Sequence, residues 1–270
     1  MTAIEQPTPF DHSSDPNFLA YYALQSASEA TLGRFSRVKD RALWLLAERG
    51  QRTEGLMMLD IGCGAGTQAC LWAQAGHQAH GIDVNAPLIE VGQARARAEG
   101  LSLSLEVGSA TQLPIADSCM DICLMPELLE HVQDWQSCLR EAVRVLKPGG
   151  LLYVSTSNVM CPLQNEFNLP LYSWYPGCAK RHFEKLAVTS RPDLANYARY
   201  PAVHWFSFGG LRRFLRPLGM DCHDRFDVID ARHRPAPVRW ALTIVKNTPA
   251  LHWVGQMLTQ GTTVWAFKQG

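Results

Sequence analysis

The segment Leu59-Asp60-Ile61-Gly62-Cys63-Gly64-Ala65-Gly66 decides how the rest of the chain is read. It completes a short apolar run that begins at Met57 and leads into Thr67-Gln68-Ala69-Cys70-Leu71-Trp72, a stretch of helical composition that stops at Gly76. An apolar strand that runs into alternating glycines and then a helix makes a ligand-facing turn. Residues without a Cβ let a ligand lie on the backbone, and the N–H groups at the helix start face it. The spacing is G-x-G-x-G, with Thr67 where a dinucleotide fingerprint places its last glycine. Asp60 directly precedes the turn, and a carboxylate there suits a ligand carrying an ammonium group better than one carrying a pyrophosphate. A second carboxylate, Asp83, closes the next apolar run 17 residues after Gly66, where it can accept both hydroxyls of a ribose.

Outward from this turn, strand and helix alternate. Strands are expected at 57–61, 77–84, 101–108, 120–125 and 151–157, the third from strict alternation and the fourth from a continuous apolar run of the kind buried in parallel sheets. A helix over 87–100 has Pro87 in its first turn and Gly100 past its end. Another is capped by Asp134, carries Trp135, Leu139, Ala142, Val143 and Leu146 on one side, and ends at Lys147-Pro148-Gly149-Gly150. Before the turn, residues 17–49 are helical, with Val38, Ala42, Leu45 and Leu46 on one face. After it, 158–205 is rich in Pro, Tyr, Trp and Asn, too long for a plain connection, and reads as an inserted cap. The alternation resumes with a helix over 208–219, a strand over 220–229, two short helices over 236–260 meeting at Pro249, and a closing strand at 262–267. The expected architecture is α/β: a doubly wound, mostly parallel, seven-stranded sheet of Rossmann-like type. Residues 1–55 form an N-terminal helical segment, 56–157 and 206–270 the ligand-binding domain, and 158–205 the cap.

Composition narrows the partners. Lys plus Arg and Asp plus Glu both number 25, so the net charge is zero and no basic field invites nucleic acid, although Arg212, Arg213 and Arg216 form a local basic trio. The eight cysteines contain no C-x-x-C pair and read as small buried thiols of a reducing, cytoplasmic compartment. No constellation has convincing metal-ligand spacing. The opening residues lack the basic and apolar regions of a signal peptide, and the charge-free stretch 247–267 is broken by Pro249, Gly255 and Gly261, so stable membrane insertion is not expected. Trp240, Ile244, Leu251, Trp253 and Leu258 nevertheless offer a surface that could dip into a membrane interface.

The run LDIGCGAG, the strand end GIDV (81–84), the segment 108–125, the tripeptide Leu129-Glu130-His131 and LKPGG (146–150) together resemble class I S-adenosylmethionine-dependent methyltransferases, nearest in flavour to the ubiquinone and menaquinone methylases. The likeness covers residues 55–156 and implies S-adenosyl-L-methionine as cofactor. It implies that Asp60 and Gly62 neighbour the methionine amino group, that Cys63, Gly64 and Gly66 form the turn, and that Asp83 holds the ribose with Val84 against the adenine. Ala110 and Thr111 would border the adenine edge, and Met125 and His131 the sulfonium. One departure is Ser109, where the family often has an Asp that accepts from the adenine amine; a hydroxyl accepts more weakly.

Methyl transfer needs an in-line nucleophile, and a hydroxyl acceptor also needs a base, for which His131 and His204 are the candidates, His204 being preferred because His131 is close enough to the cofactor to be engaged by it. Either can instead serve packing or cofactor orientation. Glu166, Tyr172, Tyr175 and His182 in the cap are the candidate substrate contacts, although the cap's aromatic residues also suit a small core of its own. The reading is a methyltransferase, monomeric or homodimeric, acting on oxygen of a small molecule such as a phenol, quinol, glycan or secondary metabolite. Transfer to carbon or nitrogen, or a non-catalytic S-adenosylmethionine-binding module, are the alternatives.

Overall fold

The computed structural model describes residues 26, 28–164, 166–195, 202–232 and 234–270. Its centre is a seven-stranded sheet in the order β3-β2-β1-β4-β5-β7-β6, made of β1 (Met57–Ile61), β2 (Gln78–Asp83), β3 (Ser104–Val107), β4 (Met120–Pro126), β5 (Leu146–Ser157), β6 (Met220–His223) and β7 (Gly261–Lys268). The first five strands pair in parallel, and β7 lies antiparallel between β5 and β6. Strand order reverses between β1 and β4, and in such a sheet ligands bind outside the carboxyl ends of the strands at that point.

Helices cover both faces. Val38, Ala42 and Leu46 of α1 (Glu29–Glu48), Ala69 and Trp72 of α2 (Thr67–Gln74) and Ile89 of α3 (Ala86–Ala98) join one core with Met58, Ile122, Leu124, Tyr153 and Trp265. On the other face Cys138, Leu139, Ala142 and Val143 of α4 (Trp135–Val145) and Leu211 and Leu215 of α5 (Phe208–Leu215) pack on Leu59, Cys123, Leu152 and Val154. Adjacent strand residues serve opposite cores, the period-two rule at work. The caps are those the sequence advertises: Asn85 accepts from Leu88 N, and Asp134 from Ser137 N at 3.1 Å.

Several boundaries differ from the sequence reading. β5 begins at Leu146, because Leu146 already pairs with Met120 and the register then shifts before Ile122 meets Leu151, so Lys147-Pro148-Gly149-Gly150 is a bulged start of the strand. β3 is confined to 104–107. β6 ends at His223, because Asp224 accepts from the backbone N–H groups of Phe226 and Asp227 and turns the chain. The two helices after it are α6 (Ala236–Asn247) and α7 (Pro249–Met257), divided at Thr248-Pro249. They leave Trp240 and Leu258 71% and 79% exposed. The expected helical residues 17–25 lie outside those described.

The insertion leaves the sheet after Ser157 and returns at Phe206. Its two ends are joined, Val159 N donating to Phe206 O and Phe206 N to Ser157 O. Between them stand a 3-10 turn at Tyr172–Trp174, a helix at Gly177–Ala187 and a second 3-10 turn at Pro192–Ala195. Phe167, Tyr172, Ala187, Leu194 and Ala195 form a core separate from those of the sheet. No described helix is long and apolar enough to cross a membrane.

Candidate active site

A cavity of about 270 Å³ opens at the carboxyl ends of β1 and β4. Asp60, Gly62, Cys63, Ala65 and Thr67 form its floor, Pro126 and Glu127 one wall, and Ser26, Thr31, Arg34 and Phe35 another. The glycine turn is shaped by close contact. At Gly62 φ is +75° and a Cβ would stand 2.8 Å from Leu128 Cδ1; at Gly66 φ is +66° and the contact would be 2.7 Å from Leu105 Cδ1. Any other residue at either place would be strained by the left-handed backbone and would have to displace the leucine tip. Arg95 of α3 pins the turn from behind, donating to Ala65 O at 2.7 Å and Thr67 Oγ1 at 3.1 Å.

Asp60 is 1% exposed, and its Oδ1 is buried without a hydrogen-bond partner among the described residues. Burial, then the charge of Asp83, raise its carboxyl to about 8. A buried carboxylate oxygen left unpaired is costly, and a cation entering the cavity would satisfy it. Asp83 is braced to the same turn: Oδ2 accepts from Gly64 N and Oδ1 from Asn85 N, both at 2.8 Å. Burial raises its carboxyl and these bonds oppose the rise. Each oxygen keeps a further lone pair for a ligand hydroxyl. Val84 beyond it is 58% exposed. Ser109 and Thr111 share a 2.7 Å hydroxyl bond and Thr111 N donates to Ser109 Oγ at 3.2 Å, so that hydroxyl is already engaged locally. Ala110 is half-buried between them.

Met125 is fully buried in the core on the α4 face, so the cavity wall there is made by the next two residues, Pro126 and Glu127. The alternation of β4 explains the shift. Glu127 has a left-handed backbone, φ +53°, uncommon for a residue with a side chain and concentrated at functional sites. Its N–H donates to Ser155 O at 2.8 Å and its carboxylate pairs with Arg34 across the cavity mouth. The contribution of α1 was missed in the sequence, where residues 1–55 read only as a flanking helical segment.

Above β4 and β5 sits a second group. Glu130 is 1% exposed; burial raises its carboxyl to about 8, Oε2 accepts from Thr156 Oγ1 at 2.7 Å, and its carbonyl accepts from Val203 N and His204 N. His131 Nε2 lies 4.0 Å from Glu166 Oε2, while Glu166 Oε1 accepts from Ser157 Oγ at 3.1 Å. His204 Nε2 is 3.2 Å from Gln133 O. Of the expected substrate contacts, Glu166 joins this group. Tyr172 does not: its ring stacks on Phe167 at 4.2 Å and is wholly buried in the cap core, its hydroxyl donating to Lys180 O. Tyr175 packs on the same core, and His182 is exposed on the cap helix against Phe183.

A doubly wound sheet with a glycine turn, a buried carboxylate beneath it and a second carboxylate closing β2 defines a Rossmann-like domain. Residues 59–154 match the family model "Methyltransferase domain". The chain is 38% identical over 105 residues to a ubiquinone biosynthesis O-methyltransferase of Chelativorans sp. (strain BNC1), spanning 39% of this chain and 42% of that protein. It is 40% identical over 100 residues to norajmaline N-methyltransferase of Rauvolfia serpentina, 36% of this chain and 34% of that protein. The match thus spans between a third and two fifths of the length of these relatives. Among solved structures, the YcgJ protein of Bacillus subtilis superposes with a TM-score of 0.53 at 17% identity, over 85% of this chain and 98% of that one.

Proposed function

We propose that this chain transfers a methyl group from S-adenosylmethionine to a small-molecule acceptor, with oxygen the acceptor atom. The observation that carries the reading is the buried Oδ1 of Asp60, without a partner among the described residues, on the floor of the cavity beside the glycine turn. That atom fits an ammonium group, which the donor has and a pyrophosphate cofactor lacks. When bound, S-adenosylmethionine supplies an activated methyl on a sulfonium. Asp60 and the Gly62–Cys63 backbone would hold its amino-acid end, Gly64 and Gly66 its approach along the turn, and Asp83 its ribose diol. Val84, Ser109, Ala110 and Thr111 would border the adenine.

For a hydroxyl acceptor a base is needed, and His131 and His204 are the two at the carboxyl edge. His131 has the better support, because Glu166 lies where it can steady the ring and Ser157 in turn positions Glu166. No nucleic-acid partner, a cytoplasmic setting and a monomer or homodimer complete the proposal. Calorimetry should show S-adenosylhomocysteine binding in the micromolar range and no binding of NAD or FAD. A dinucleotide bound more tightly would sink the assignment.

A further inference from the structure

A second cleft, of about 790 Å³, adjoins the cavity and shares Arg34 with it. It runs between α1 and the sheet, with Arg37, Arg41 and Trp44 on the helix side and Arg225, Thr263 and Trp265 on the sheet side. Thr263 pairs with Ser155 and Gly261 with Ser157, and Tyr153 and Trp265 belong to the α1-side core. By alternation Ser155 and Ser157 face the same side, so the cleft floor leads to Ser157, whose hydroxyl donates to Glu166 beside His131. The cleft and the candidate base therefore lie along one edge of the sheet.

Its charge is unbalanced in favour of cations. Arg34 is taken by Glu127. Asp230, one of two acids on the lining, accepts from Arg232 at 3.1 Å, and the other, Asp40, lies 3.2 Å from Lys39. Arg41 donates to Val228 O at 2.6 Å with its guanidinium 4.9 Å from the Trp44 ring. Arg225 donates through Nη2 to Gly261 O and Thr263 Oγ1, but its Nε–H is buried with no partner among the described residues. Burial works against the charge of both Arg41 and Arg225, opposed in part by Asp230 at Arg41 and by Tyr153 and Asp224 at Arg225. A buried guanidinium N–H left unpaired is an expensive arrangement, arginine forks are the groups that recognise carboxylate and phosphate oxygens, and an indole face packs against an aromatic ring.

We propose that this cleft is an oxyanion site, and that the methyl acceptor is an aromatic compound whose anionic group is held by Arg225 with Arg37 and Arg41, its ring lying against Trp44 or Trp265. The word acceptor rests on the methyl-transfer reading; the anion site does not. The test is titration of the full chain with benzoate, phenyl phosphate and the uncharged p-cresol, followed by calorimetry and tryptophan fluorescence. At least one of the two anions should bind about tenfold more tightly than p-cresol, as charge-assisted hydrogen bonds demand. The better of the two tells carboxylate from phosphate. Arg225→Gln should lose about tenfold or more. Arg37→Gln, on the exposed rim where folding is not at stake, should lose about threefold. Equal binding of p-cresol and both anions, or wild-type affinity in both variants, overturns the site. A parallel titration with S-adenosylhomocysteine keeps the two readings apart. If it binds and neither anion does, the oxyanion site falls alone; if an anion binds and it does not, the methyl-transfer reading falls and the site stands.

Discussion

Asp60 holds its proton far above the usual carboxylate range, raised from 3.8 to about 8 by burial and by Asp83. In the unfolded chain the same group ionises near 3.8, so between about 4 and 8 the folded state binds a proton that the unfolded state has lost. Stability from this group is therefore greatest below pH 4, declines as pH rises through that window, and is flat above it. An ammonium group brought against Asp60 reverses the preference and favours the carboxylate. Binding of S-adenosylhomocysteine at pH 7 should accordingly release up to about one proton, read as heats that differ between phosphate and Tris buffers. Asp60→Asn should abolish the difference and weaken binding about tenfold to hundredfold; equal heats in both buffers for the wild type would remove Asp60 from the amino-group site. Asp83→Ala should cost a similar factor, by losing ribose contacts and also by releasing Gly64 N from its 2.8 Å bond. For the histidines, replacing the true base by Ala should lower turnover on a hydroxyl acceptor by ~10²–10⁴-fold. If His131→Ala and His204→Ala both keep near-wild-type rates at neutral pH, no histidine base operates.

The elements were unequally legible in the sequence, for physical reasons. β1, the glycine turn and α2 announce themselves because a ligand-facing turn admits few residue types, and Gly62 and Gly66 have neighbours within 3 Å of any added Cβ. Asp134 and Asn85 mark helix starts because their side chains close the first turn. By contrast, Lys147-Pro148-Gly149-Gly150 looks like a helix exit and is a bulged strand start, since that distinction depends on pairing with Met120, a long-range fact. The role of Arg34 and Phe35 was hidden for the same reason: nothing local says that one end of α1 lies over the mouth of β4. The cap divides in like fashion. Its aromatic content was plain, but only packing shows that Tyr172 serves the cap core while Glu166 reaches His131. Tyr172→Ala should therefore cost about 3 kcal/mol or more of cap stability, seen as faster proteolysis within 158–205 with S-adenosylhomocysteine affinity nearly unchanged. A large loss of that affinity would mean that the cap and the cofactor cavity are one unit.

At the scale of the whole molecule, that last question becomes one of cooperativity. The cofactor cavity draws on α1, the β1 turn and the end of β4, elements that share one core with β5 and β7. The cap has a separate core and is tied to the sheet where its ends meet, by Val159, Phe206 and the Asn158 side chain, which donates to Gln256 O and Thr259 O at 2.7 Å. Glu130 adds a further tie, because its carbonyl holds Val203 and His204 while its carboxyl takes the Thr156 hydroxyl. A ligand that binds only the folded sheet stabilises whatever unfolds together with the sheet, by about 2.7 kcal/mol at a hundredfold excess over its dissociation constant. For a domain of this size that is a rise of roughly 5–10 °C. With saturating S-adenosylhomocysteine the amides of β1, β4 and β5 should gain the full protection against hydrogen exchange. Those of the cap helix Gly177–Ala187 should gain little if the cap opens separately, as its own core and narrow attachment imply. Equal gains in cap and sheet would show a single cooperative unit and overturn that expectation.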